Sequence, residues 1–162
     1  MTGSVREITP DVDAGTVLSG AQFIDAFRAE VGAKQLSARE ACTRMVLHGP
    51  RWIDALTRLR NIVVTPFGLK TSGEGTPAPG GLIGLFPVLS ETPERLVAGF
   101  DDYHLDFRIV VDVAGEATLR HVTVTTLVKT NNLLGRTYLT LITPFHKLVA
   151  RSMMGSIVAP AP

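Results

Sequence analysis

The sequence predicts an α+β fold in which an antiparallel β-meander packs against one long C-terminal helix. Three observations predict it. Residues 131–154, NNLLGRTYLTLITPFHKLVARSMM, place apolar side chains at three- and four-residue steps, the period of an amphipathic helix. Residues 82–130 hold three runs in which apolar side chains fall on alternate positions, divided by turn-forming residues, as half-buried strands do. Ser37-Ala38-Arg39-Glu40 is a capping-box pattern, in which Ser37 and Glu40 each satisfy the other's backbone N–H at a helix start.

The chain has 162 residues, enough for a single domain with one core. Its 16 basic and 15 acidic residues leave a net charge of +1, so no charged field points to nucleic acid or an acidic substrate. Cys42 is the only cysteine, which excludes an intramolecular disulfide and a cysteine-based zinc cluster. The first residues contain no apolar stretch of signal-peptide length. Arg136, Pro144, His146 and Lys147 interrupt the most apolar region, whereas a membrane span needs about 20 nearly uncharged residues. A cytoplasmic protein without a membrane span is expected.

In chain order, residues 1–18 show no period and read as a loose arm. Residues 21–31 fit two patterns: Phe23, Asp25, Phe27, Ala29 and Val31 alternate like a strand, while Phe23, Ile24, Phe27 and Val31 fit a short helix. The helix after Ser37 should bury Ala41, Cys42, Met45 and Val46 and end near His48-Gly49. Pro50 then opens a second short helix over residues 51–64, with Trp52, Ile53, Leu56, Leu59 and Val63 inward. Residues 68–81, GLKTSGEGTPAPGG, read as a flexible loop. No GxxxxGK[ST] or GxGxxG pattern occurs there, so no phosphate cradle and no cofactor is implied.

The meander follows. Residues 82–89 form a strand that Pro87 pushes toward an edge. Asp101-Asp102 is read as a two-residue hairpin loop, which pairs Phe100 with Tyr103, Ala98 with Leu105 and Leu96 with Phe107. A loop at residues 114–117 then pairs Ile109 with Val122, Phe107 with Val124 and Leu105 with Thr126. This parity puts every apolar row on one side, and a slip of one residue would turn them all outward. The long helix is capped by Asn131 or Asn132, directs Leu134, Tyr138, Leu141, Phe145, Leu148 and Val149 inward, and gives way to a frayed tail at 155–162.

Four stretches carry a resemblance: PRWIDALTRLRNIVVTPFGLKT, GLFPVLSETPERLVAGFDDYHLDFRIVVDV, VTVTTLVKTNNLLGRTYLTLITPFHKLVAR and, more weakly, FIDAFRAEV. The chain resembles a bacterial domain-of-unknown-function family and, through its element order, the helix-grip fold of the START/SRPBCC superfamily that includes the birch-pollen-allergen proteins. The resemblance implies that residues 21–31 are the first strand. It also implies an apolar small molecule held between sheet and helix, or an aromatase/cyclase-like activity on a hydrophobic substrate. In some members of the family a similar domain follows a nicotinamide-dinucleotide-type oxidoreductase domain. The likeness therefore also implies a non-catalytic module that docks on a separate oxidoreductase or on a second copy.

Within that frame the candidate ligand-binding residues are Trp52, Tyr103, Phe107, Thr126, Tyr138, Phe145 and His146, a mostly apolar set with a few orienting polar groups. Asp102, His104, Asp106 and Arg108 alternate along one strand and read as a solvated outer face, with Asp106–Arg108 and Asp106–Thr125 contacts. A metal site there lacks a third firm ligand. Cys42 on the buried stripe of a capped helix reads as structural and inert, His48 as a helix-end residue, and no GxSxG elbow is present.

Overall fold

The computed structural model describes residues 4–51, 54, 58, 80–84 and 86–158. The inward face expected of residues 51–64, Trp52 included, and nearly all of the loop 68–81 lie outside these described residues. The chain forms β1 (Val5–Ile8), α1 (Ala14–Val17), β2 (Phe23–Gly32) and α2 (Ala38–Leu47). Next come β3 (Leu82–Ile83), β4 (Phe86–Glu91), β5 (Arg95–Asp101), β6 (Leu105–Glu116) and β7 (Leu119–Thr130), and the long helix α3 (Leu133–Val158) closes the chain. All seven strands share one sheet in the order β1-β2-β7-β6-β5-β4-β3, and every pairing is antiparallel. This is an α+β fold consistent with the helix-grip arrangement.

The ambiguity at residues 21–31 resolves as a strand because both of its edges find partners, β1 on one side and β7 on the other. The expectation of a loose N-terminal arm is corrected for the same reason. Val5–Ile8 pairs with Ala26–Ala29 as an edge strand, and Asp13 caps a single helical turn through Gly15 and Thr16. That turn and its flanks lay Val12, Ala14, Val17 and Leu18 over Val110 and Leu127 on the outer face of the sheet.

Both long hairpins keep the expected parity but not the expected register. Ala98 pairs with Ile109 rather than Leu105, and Leu96 with Val111 rather than Phe107. Likewise Ile109 pairs with Thr126 rather than Val122, and His121 lies opposite Ala114. Both shifts are four residues, an even number, so each side chain keeps its predicted face. The cause is the turns. Asp102–Leu105 makes a four-residue turn closed by Asp102 N–H donating to the Leu105 carbonyl (3.0 Å), and a two-residue connection joins Glu116 to Leu119.

The inner face builds the core in rungs across four strands. Phe27, Val124, Val111 and Leu96 form one fully buried rung, and Ala29, Val122 and Val113 extend it. The capping box holds α2 against this half, with Ala38, Ala41, Cys42 and Met45 buried. The last turns of α3 supply Met154 and Ile157. Lys34 Nζ donates to the Ile157 carbonyl at 3.0 Å and the helix runs to Val158, so the frayed tail expected at 155–162 is corrected over 155–158, and 159–162 lie outside the described residues.

The predicted inward face of α3 is corrected. Leu133, Leu134, Leu141, Phe145 and Leu148 are exposed, Phe145 by 59 %, while Gly135, Met154 and Ile157 are buried. The physical reason is that, beside the stripe of Arg136, Thr140, Thr143, Lys147 and Arg151, apolar side chains cover a wide arc of α3, so periodicity alone does not say which part of that arc is buried. The choice falls to the side that glycine makes thinnest. A Cβ at Gly135 would overlap the His104 carbonyl oxygen, and this close approach seats the helix start on the β5–β6 turn. Asn132 caps the helix through Gly135 N–H (2.9 Å), and Asn131 Nδ2 donates to the Asp102 carbonyl and to Asp106 Oδ1, each at 3.0 Å.

Candidate functional site

The half of the inner face farthest from α2 is less tightly covered and differs in chemistry. Its outer rung is Phe23, Val128, Phe107 and Phe100. Of these, Phe23, Phe107 and Phe100 are only half-buried. Phe107 stacks on Phe100 at 5.6 Å and tilts toward Phe86 at 5.9 Å. The next rung inward is Asp25, Thr126, Ile109 and Ala98. An acid and a threonine thus interrupt an otherwise apolar face.

Asp25 is 6 % exposed, and its one described polar partner is His146 of α3, whose Nε2 lies 3.2 Å from both carboxylate oxygens. Phe23 meets the imidazole edge-on at 5.6 Å. Pro144, two residues earlier, cannot donate to the Thr140 carbonyl, yet the helix continues through it. Lys147 and Arg151 reach past the pair to Glu7 on β1, Lys147 at 2.7 Å, and the Arg151 guanidinium lies over the Phe27 ring. These contacts set α3 obliquely over β1 and β2, so that His146 points at the sheet.

Burying a carboxylate costs several kcal/mol unless it is paired, and a plain core would place an apolar residue on this rung. The geometry also defines a proton arrangement. A carboxylate on Nε2 favours the tautomer with the proton there and leaves Nδ1 as the acceptor. The imidazole keeps about a fifth of its side-chain surface exposed (22 %), and Nδ1 has no hydrogen-bond partner among the described residues. Such a group can accept a hydrogen bond from a ligand hydroxyl, or take a proton from a ligand.

Of the residues expected from sequence, Phe107 and Thr126 lie on the two rungs at this site, and His146 is part of it. Tyr138 stands two helical turns away, edge-on to His104 at 5.7 Å. Tyr103 and Phe145 are not brought in. Tyr103 is 76 % exposed at the tip of the Asp102–Leu105 turn, and Phe145 faces away from the sheet. Trp52 lies outside the described residues. Asp25 is not among the residues expected from sequence; its one local signal is that of a lone acid on the alternating apolar row 23–31.

The expected solvated face at Asp102–Arg108 is also corrected. Asp102 and His104 belong to the turn, and both are buried beneath the start of α3, with Asp102 Oδ2 3.4 Å from His104 Nδ1. Asp106 bonds Asn131, and Arg108 pairs with Asp101 at 2.7 Å instead of with Asp106. Among the described residues no group of three His, Cys, Asp or Glu is placed to hold a metal ion.

On the opposite face of the sheet lies a groove of about 570 Å³ lined by Asp11, Arg28, Arg95, Asp112, His121 and Thr123, among others. Arg95 makes a two-pronged pair with Asp112 (2.6 and 3.0 Å), and Arg28 Nε donates to Thr123. Burial, then the Arg28 charge, holds the His121 imidazole below its ordinary pKa. Charged groups that largely satisfy one another make this groove a poor fit for an apolar ligand.

Cys42 is 1 % exposed, and burial pushes its thiol from 9.0 up to about 11. The unfolded chain therefore loses this proton first, and the thiol's contribution to stability, intact below pH 9, drains away between about pH 9 and 11. We expect iodoacetamide at pH 8 to leave the folded protein unmodified and to label it fully once denaturant unfolds it, as read by intact mass. Rapid labelling of the native chain would contradict the buried placement.

The profile of one protein family, described as Protein of unknown function (DUF2867), matches residues 17–153. The chain belongs to the DUF2867 family. The match runs from α1 through the Asp25 strand to the His146 helix, so both halves of the pair fall within the DUF2867 region. No curated protein and no solved structure matches the chain. No helix among the described residues is long and apolar enough to cross a membrane.

Proposed function

We propose that this DUF2867 protein binds an apolar small molecule between the sheet and α3, with the Asp25–His146 pair as the polar end of the site. The pair is the observation that carries this reading. A buried acid held by a partly exposed histidine, beside half-buried Phe23, Phe100 and Phe107, matches the composition of small-molecule sites: apolar walls with few polar groups that orient the ligand. The sequence resemblance to the START/SRPBCC superfamily supports the same reading.

Native mass spectrometry of the freshly purified protein, followed by organic extraction, tests for a resident ligand of a few hundred daltons. Paired titrations then test the polar end. 2-Naphthol should bind about fivefold more tightly than naphthalene, since one neutral hydrogen bond is worth about 1 kcal/mol. His146→Leu should erase that preference while leaving naphthalene binding in place. Failure of both probes, with a clean apo mass, would sink the reading.

The exposed row Leu133, Leu134, Leu141, Phe145 and Leu148 favours a second reading, an interaction module for a protein partner. A clean apo mass together with concentration-dependent self-association would shift weight to it.

A further inference from the structure

We propose that the Asp25–His146 pair is a general-base dyad, and that the ligand of the cleft is an apolar carbon acid: a ketone or 1,3-dicarbonyl compound with an ionisable C–H next to its carbonyl. The inference rests on the proposed cleft and adds an activity to it. His146 Nδ1 is the base. Among the described residues Asp25 meets the imidazole at Nε2, and it is a positioning residue, because it holds the proton on that nitrogen and leaves the lone pair on Nδ1.

Several observations converge on this role. Asp25 is a buried carboxylate among apolar side chains, Oδ2 makes no hydrogen bond in good geometry, and the ion-pair contact with His146 accounts for its placement. Phe23 fixes the imidazole from one side. The apolar rungs keep the surroundings poor in water, where proton transfer by a positioned base is effective. Thr126 pairs with Asp25 across the strands and adds a second polar side chain to that rung.

The step needs no second reactant. The C–H bond breaks, its proton moves to Nδ1, and its electron pair becomes the enolate. The imidazolium then returns the proton to the enolate oxygen, giving the enol tautomer. The result is an isomerisation that leaves atoms and electrons unchanged in number.

A generic probe tests the base without knowledge of the natural ligand. 5-Nitro-1,2-benzisoxazole is a flat apolar molecule that opens when a base removes its single C3 proton. The N–O bond breaks, and a nitrile and a coloured phenolate form. The wild-type protein should open it faster than an equal concentration of free imidazole. His146→Gln should lower kcat about 100-fold, the scale of one positioned base. Asp25→Asn should lower kcat at least tenfold with KM little changed, since the contact it alters is with His146 and not with the probe. Added imidazole should restore part of the rate to His146→Ala and none to wild type. That readout would not move if the pair were only structural.

Equal rates in wild type and His146→Gln would assign the opening to an adventitious base and overturn the dyad. Binding of the probe without acceleration would overturn the dyad while the binding reading stands. Absence of binding by this probe and by both naphthalene probes would remove the cleft and the dyad together.

Discussion

Replacing Gly135 by alanine should destabilise the protein although it adds a better helix former. Alanine is favoured over glycine in a helix interior by about 1 kcal/mol. At this position the new Cβ would overlap the carbonyl oxygen of His104, a backbone atom that cannot rotate away, with Thr130 on its other side. Overpacking of flexible core side chains already costs about 1–3 kcal/mol, and here the helix itself has to lift. The joint that lifts carries Asn131 and Asn132, which tie α3 to the Asp102–Leu105 turn. A chemical-denaturation midpoint that falls clearly below wild type is the expected result. An unchanged or raised midpoint would mean that the helix start does not sit on this turn.

Truncating Ile157 to alanine should cost about 2–5 kcal/mol, and Met154→Ala a similar amount, because both side chains are fully enclosed beside α2 and the inner face of the sheet. Phe145→Ala, a larger truncation in the same helix, should change stability by no more than about 0.5 kcal/mol, as surface substitutions do. Phe145 is 59 % exposed. The contrast within one helix is the test. Urea melts with equal slopes and ordered midpoints would establish it, and a Phe145→Ala loss as large as that of Ile157→Ala would show the buried face to be wrongly assigned.

The same contrast explains where sequence reasoning succeeds. Strand parity is a strong local signal. Leu96, Ala98, Val111, Val122 and Val124 can all be buried together only on one face, and all of them are. The capping box at Ser37 and Glu40 is equally local, since both of its hydrogen bonds lie within four residues, and it forms as written. Register is different. An even shift keeps every face and is invisible to the alternation, so it was decided by how many residues the turns at 102–105 and 117–118 absorb.

The candidate site divides in the same way. Phe107 and Thr126 were legible because strand parity puts them on the inner face. His146 was legible as a polar residue beside a helical proline. Asp25 was not, because its partner is 121 residues away in the chain and no local pattern links them. Tyr103 and Phe145 were drawn into the expected site by a two-residue turn and by a helix face that the folded chain does not use.

By itself, the sequence determined the α+β class, the order of α2, the meander and the long C-terminal helix, the inner face of β5, β6 and β7, and the cap of α2, and it narrowed the cap of α3 to two asparagines. These depend on contacts within a few residues or on a period of two. Only the tertiary structure decided the rotation of α3, the hairpin registers and the meeting of Asp25 with His146. A helix whose apolar arc is this wide has several faces it could bury. Which one it buries depends on the surface beneath it, and here Gly135 at one end and the pocket for Met154 and Ile157 at the other choose the face that turns His146 onto Asp25.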